Sequence, residues 1–121
     1  MYTVKVKEHI MIAHSLPDPF FGPAQNMHGA TYVAEVTFMR KELNAQNVVI
    51  DIGEATAITR GILSELNYQN LDELPQFKDI LTTTEFLAHH IHSEIKKQLK
   101  EDIRLKVELL ESHVASASYE D

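Results

Sequence analysis

The sequence predicts an α+β domain: an antiparallel sheet with two helices packed on one face. Three observations predict it. Strand-period alternation occupies both ends of the chain, two helical stripes lie between them, and the strands follow one another as hairpins in place of β-helix-β alternation. Tyr2 to His14 alternates, with Val4, Val6, Ile10 and Ile12 on one parity and Lys5, Lys7 and His9 on the other. Ser15-Leu16-Pro17-Asp18-Pro19 stops it, because proline lacks the ladder donor, and Phe20 to Met27 reads as an irregular loop. A second strand runs from His28 to about Arg40. Tyr32, Ala34, Val36 and Phe38 face one way, and Thr31, Glu35 and Thr37 face the other. Lys41 to Gln46 then turns into a short strand, Asn47 to Ile52.

From Gly53 the period changes. Ala55, Ile58, Ile62 and Leu66 form one helical stripe, and Asn67 to Leu81 reads as a connection. Thr82-Thr83-Thr84-Glu85 matches a capping box, with Thr82 as N-cap and Glu85 at the third helical position. Leu87, Ile91, Ile95 and Leu99 form the second stripe. Strand period returns with Leu105, Val107 and Leu109 opposite Arg104, Lys106 and Glu108, and Val114 to Tyr119 either continues this strand or forms a further one.

The chain has 121 residues, 11 Lys and Arg against 18 Asp and Glu, and a formal net charge of −7. That length fits one domain over residues 1–121. A hydrophobic fraction of 44% excludes general disorder. The absence of cysteine excludes a disulfide framework, thiolate metal sites and a cysteine nucleophile. No apolar run approaches the ~20 residues of a membrane span, and the opening segment alternates where a signal peptide has an apolar core. The expected location is the cytoplasm. The acidic balance leaves no basic face for phosphates, so nucleic acid is not an expected partner.

Polar residues interrupt three apolar faces. His14 continues the parity of Val4 to Ile12, His28 opens the face of Tyr32 to Phe38, and Glu111 and His113 continue that of Leu105 to Leu109. An inward carboxylate needs a partner, and a neutral imidazole is a common metal ligand. A single inward histidine is more often a hydrogen-bonded structural residue, so the coincidence of several carries the functional reading. His89, His90 and His92 read as a solvated helix surface. The helix start at Thr82 to Glu85 also offers free backbone N–H groups to a ligand.

Five segments, in order, carry a resemblance. They are Ile12-Ala13-His14-Ser15-Leu16, Met27-His28-Gly29-Ala30-Thr31-Tyr32, Val49-Ile50-Asp51-Ile52, Leu74-Pro75-Gln76-Phe77 through Thr83-Thr84-Glu85-Phe86-Leu87-Ala88, and Glu111-Ser112 with Tyr119. Together the chain resembles the 6-pyruvoyl-tetrahydropterin synthase family, which includes the 6-carboxy-tetrahydropterin synthases. The resemblance implies a T-fold (tunnelling fold) whose subunits close into a barrel, a homohexamer built as a dimer of trimers, and active sites between subunits. It implies a reduced pterin of the dihydroneopterin triphosphate class as substrate, and carbon–oxygen lyase chemistry that eliminates triphosphate. By matching position Glu111 anchors the amino-pyrimidine edge, and backbone groups around Thr83, Thr84 and Glu85 complete the grip. The family's zinc falls on His14 and His28, while the third histidine position is held by Ala30.

Other matching positions differ as well. Ala24, beside Gln25, stands where the family has its catalytic cysteine, and Asn67-Tyr68 stands at its Asp-His dyad. Two readings follow. One is an enzyme with His113 as surrogate base, Tyr68 being a second option as acid. The other is a non-catalytic module that binds a pterin or related heterocycle.

Overall fold

The structure, a computed structural model, describes residues 1–100 and 102–121. Its elements in chain order are β1 (Tyr2–His14), β2 (His28–Arg40), α1 (Ile52–Ser64), β3 (Gln69–Asn70), α2 (Thr84–Lys96), β4 (Arg104–Leu110) and β5 (Ser116–Glu120). The strands form one sheet in the order β3-β1-β2-β4-β5. All pairings are antiparallel except β3 with β1, so the expected antiparallel sheet is a mixed one with a short parallel edge. β1 and β2 pair along their full length, from Tyr2 opposite Arg40 to His14 opposite His28.

Side-chain alternation decides which face is covered. Tyr32, Ala34, Val36 and Phe38 on β2 and Leu105, Val107 and Leu109 on β4 are fully buried under the two helices. Those helices contribute Ala55, Ile62 and Leu63 from α1, and Leu87, Ala88, Ile91 and Ile95 from α2. α1 lies over β1, and α2 over β4 and β5. Among the described residues the opposite face carries no helix. There Lys5 pairs with Glu35 at 2.7 Å, and Lys7 approaches the same carboxylate at 3.7 Å.

The segment Asn47–Ile52 departs from the sequence expectation. It is a loop, because the Asn44 side chain accepts from the amides of Gln46 and Val48 and Asn47 adopts a left-handed backbone with φ of 62°. Val49 and Ile50 are nevertheless buried, so the apolar pattern reported a core plug and not a ladder. Asp51 ends that loop by accepting from the Glu54 amide at 2.9 Å, and α1 accordingly starts at Ile52.

The long connection is also more ordered than expected. Asn67 Oδ1 accepts from the Met11 amide at 2.9 Å and the Tyr68 amide donates to the Met11 carbonyl at 2.7 Å, which docks β3 against Ile12 and Ala13. Short 3-10 turns follow at Leu71–Glu73 and Pro75–Phe77, and another occupies Pro19–Gln25 before β2. Leu99 lies beyond the end of α2 but still packs on the core. β5 is a separate strand, not an extension of β4. Among the described residues no helix is long and apolar enough to cross a membrane.

Candidate functional site

The β1–β2 register sets His14 and His28 side by side, because the hairpin pairs them directly. Their rings meet edge to face with centroids 4.6 Å apart. His14 is only 3% exposed, whereas His28 is half-buried. Each Nδ1 is engaged within the chain: His14 hydrogen-bonds Thr82 Oγ1 at 3.0 Å, and His28 donates to the Asn26 carbonyl at 2.8 Å. The carbonyl can only accept, so Nδ1 of His28 carries a proton and donates it. Burial, with the adjacent His28 ring adding to it, pushes the His14 imidazole below its ordinary value and keeps it neutral near pH 7.

The second part of the site is the turn into α2. Its N-cap is Thr83, whose hydroxyl accepts from the Phe86 amide at 3.1 Å, not the expected Thr82. The helix starts one residue later than the capping-box pattern predicts, since Thr82 is occupied with His14 and Glu85 lies at the second helical position. Thr84 turns its hydroxyl the other way, donating to Glu111 Oε1 and lying 3.3 Å from the Tyr32 hydroxyl. Three consecutive threonines thus do three jobs: hold an imidazole, cap a helix, and hold a carboxylate. The backbone N–H groups of Thr84 and Glu85, at the open start of α2, have no partner among the described residues.

Glu111 lies just past β4, which ends at Leu110. The chain bends there because the amides of Glu111 and Ser112 both turn onto the Ala115 carbonyl, and Ser112 Oγ accepts from the Val114 amide. The alternation of β4 therefore does not reach His113, which is exposed in the bend. Glu111 keeps its direction through Thr84 rather than through strand parity, and its residue surface stays exposed.

His14, His28 (by way of His14), Thr82, Thr83, Thr84 and Glu111 are thus brought to one end of the sheet. Ala30 lies on β2 opposite Ile12, two residues from His28. Ala24 is in the 3-10 turn before β2, where its carbonyl accepts from the Leu16 amide. Asn67 spends its side chain on the β1 edge, and Tyr68 is 78% exposed with φ of 61°. His89 and His92 pack on Tyr119, and His90 packs on Phe77, so their rings are engaged with aromatic neighbours and not with His14 or Glu111. Sequence reasoning missed two members, Tyr32 and the side-chain role of Thr82. The signals were available: a buried tyrosine hydroxyl needs a partner, and a run of three threonines supplies more hydroxyls than one cap uses. A cleft of about 460 Å³ adjoins the site between Ser15, Asp72, Phe77 and Leu81, but it is lined by neither His14 nor Glu111.

Fold and site define a class: an α+β sheet with two helices on one face, gathering imidazoles and a carboxylate at one end around a helix start. A family model described as 6-pyruvoyl tetrahydropterin synthase matches residues 3–121, and the chain belongs to that family. It is 31% identical over 94 residues to a 6-pyruvoyl tetrahydrobiopterin synthase of Dictyostelium discoideum, covering 76% of this chain and 69% of that protein. It is 26% identical over 121 residues to a 6-carboxy-5,6,7,8-tetrahydropterin synthase of Aquifex aeolicus, covering 79% and 75%. The solved structure of Caenorhabditis elegans 6-pyruvoyl tetrahydropterin synthase superposes with a TM-score of 0.88 at 21% identity, covering 99% of this chain and 95% of that one. The fold is therefore the T-fold that the sequence resemblance implied.

Proposed function

We propose that this chain binds a reduced pterin of the dihydroneopterin triphosphate class, with Glu111 accepting the N–H groups of the amino-pyrimidine edge. The observation that carries the reading is the hold on Glu111. One of its oxygens is fixed by Thr84 beside the open start of α2, while the other has no partner among the described residues. A carboxylate can accept two parallel N–H bonds, and such charge-assisted bonds are about twice as strong as neutral ones. The free amides of Thr84 and Glu85, next to Thr83, supply donors for ring acceptors. The site is open in one chain, which supports completion by a neighbouring subunit in a homohexamer of the family type, a dimer of trimers acting in the cytoplasm.

The test is calorimetric titration with neopterin. Glu111→Gln keeps the size but removes the charge, and the affinity is expected to fall about ten- to a hundredfold. Unchanged affinity would overturn the reading.

Zinc is the family's metal, and the donor set fits it only in part. Among the described residues no group of three His, Cys, Asp or Glu side chains converges. Ala30 contributes a methyl group, and both Nδ1 atoms are already used. The three-histidine site does not fit, so no chemical step is derived through a metal. The Nε2 atoms of His14 and His28 offer two donors at most, and zinc held by them is weak and removed by dialysis against a chelator.

For chemistry, elimination of triphosphate needs a base at the pterin side chain, and His113, exposed two residues past Glu111, is the proposed surrogate. A second reading, the non-catalytic pterin- or heterocycle-binding module, is favoured by Asn67. Its amide oxygen is committed to Met11, and neither it nor the outward Tyr68 can serve as an acid–base dyad in this conformation. Incubation with dihydroneopterin triphosphate separates the two. Triphosphate release lost in His113→Ala supports the enzyme, and intact substrate with bound pterin supports the module.

A further inference from the structure

Tyr32 is 1% exposed and packs in the core on β2, yet its hydroxyl reaches the site. It lies 3.3 Å from Thr84 Oγ1, and Thr84 Oγ1 in turn contacts Glu111 Oε1. The proton positions follow from the chemistry of the three groups. An ionised carboxylate only accepts, so the single Thr84 hydroxyl proton goes to Glu111. Thr84 must then accept from its other neighbour, and Tyr32 is the donor. Burial, the larger influence, pushes the Tyr32 phenol above its ordinary value despite its hydrogen bond with Thr84, so it stays protonated and able to donate.

We propose that Tyr32 is a positioning residue for ligand recognition: through Thr84 it fixes the Glu111 carboxylate in the orientation that selects a 2-amino-pteridine ring. The proposal rests on Glu111 being the ligand-binding carboxylate. Glu111 sits in an exposed bend, where a glutamate otherwise samples many rotamers and loses that freedom on binding. A two-step donor chain rooted in the rigid core removes much of that loss in advance. Each bond in the chain also polarises the next, which strengthens the last contact to the carboxylate. A pteridine with a 2-amino group presents two N–H donors to a fixed carboxylate, whereas a 2-oxo pteridine replaces one of them with an acceptor. Orientation therefore acts on the choice between the two rings, and not on affinity alone.

The experiment is titration of the full chain with neopterin and with lumazine, the 2-oxo pteridine, using Tyr32→Phe, Thr84→Val, Thr84→Ser and Glu111→Gln. Tyr32→Phe keeps the buried ring, and its neopterin affinity is expected to fall about three- to tenfold while lumazine changes less than about twofold. Thr84→Val is expected to weaken neopterin at least as much, and Thr84→Ser, which restores the hydroxyl, to return it to the wild-type value. An equal loss for both pteridines marks a structural effect and overturns the proposal. So does an unchanged neopterin-to-lumazine ratio in Tyr32→Phe alongside a weakened Glu111→Gln. Should Tyr32→Phe fail to fold, Tyr32→Met, which keeps an apolar side chain in the core but lacks the hydroxyl, takes its place under the same criteria. If Glu111→Gln itself binds neopterin like the wild type, or the wild type does not bind it, the underlying reading of Glu111 fails and the relay falls with it.

Discussion

Replacing Thr82 with valine removes one hydroxyl and almost no volume. Thr82 is 1% exposed and His14 is 3% exposed, and the 3.0 Å contact between them is the hydrogen bond to His14 Nδ1. Without it that nitrogen is left in a dry setting with no partner, which costs about 1–3 kcal/mol. The chain has 121 residues. At about 2.1 cal/mol/K per residue its unfolding entropy is roughly 0.25 kcal/mol/K, so the expected fall in Tm is about 4–12 °C. Differential scanning calorimetry at pH 7.5 measures it, where the His14 imidazole is neutral in both folded and unfolded chains. A fall under about 2 °C would show that His14 finds an equivalent partner or is wetter than its burial implies, and that the Thr82 contact does not stabilise the fold as stated.

Other consequences follow from the same contacts. Thr83→Ala removes the cap of α2 and is expected to destabilise by about 1 kcal/mol, with Thr83→Ser close to wild type in the same calorimetry. Stability should also respond to mild acid. Burial foremost depresses both His14 and His90, so the unfolded chain binds protons more readily than the folded one below about pH 6.5. Urea midpoints are therefore expected to decline as pH drops from about 6.5 toward the lower folded values, with a shallower slope in His14→Gln, which keeps the His90 contribution but loses that of His14. An unchanged slope in that variant would contradict the burial of His14. Asp121 acts in the same direction but in a lower pH range. Burial pushes its carboxyl up, but Lys96, His92 and the Leu105 amide outweigh this and hold it well below the usual carboxylate range. Its stabilising contribution is complete above about pH 4 and disappears as pH falls through the folded value, so Asp121→Asn is expected to be destabilised at neutral pH and to converge on wild type in acid. Because that carboxylate is about a third exposed, solvent screening keeps the effect modest.

Residue pattern made the sheet and helices legible where one physical rule acted alone. Alternation in β1 placed His14 inward, and the structure buries it with Ile10 and Ile12. The same rule misread Val49 and Ile50, since burial of a loop by side-chain turns at Asn44 leaves the same apolar signature as a strand. It also carried β4 too far, because parity says which face a residue takes but not where a bend at Ser112 ends the ladder. The capping box slipped by one for a related reason: three threonines stand at the helix start, and only the tertiary contact to His14 decides which of them is free to cap. Glu111 was legible as an unusual residue, but its support was not, because Thr84 and Tyr32 lie 27 and 79 residues away in sequence. The pairing of His14 with His28 followed from register, which a hairpin pattern fixes only once both strand ends are known.

In the proposed complex a pterin's amino-pyrimidine edge is read by Glu111 at the start of α2. A crystal structure grown with dihydroneopterin triphosphate tests it most directly. The ring edge is expected within about 3 Å of the Glu111 carboxylate, beside Thr84. A well-ordered ligand bound elsewhere, such as in the cleft lined by Arg40 and Asp102, with Glu111 still facing solvent, would contradict it.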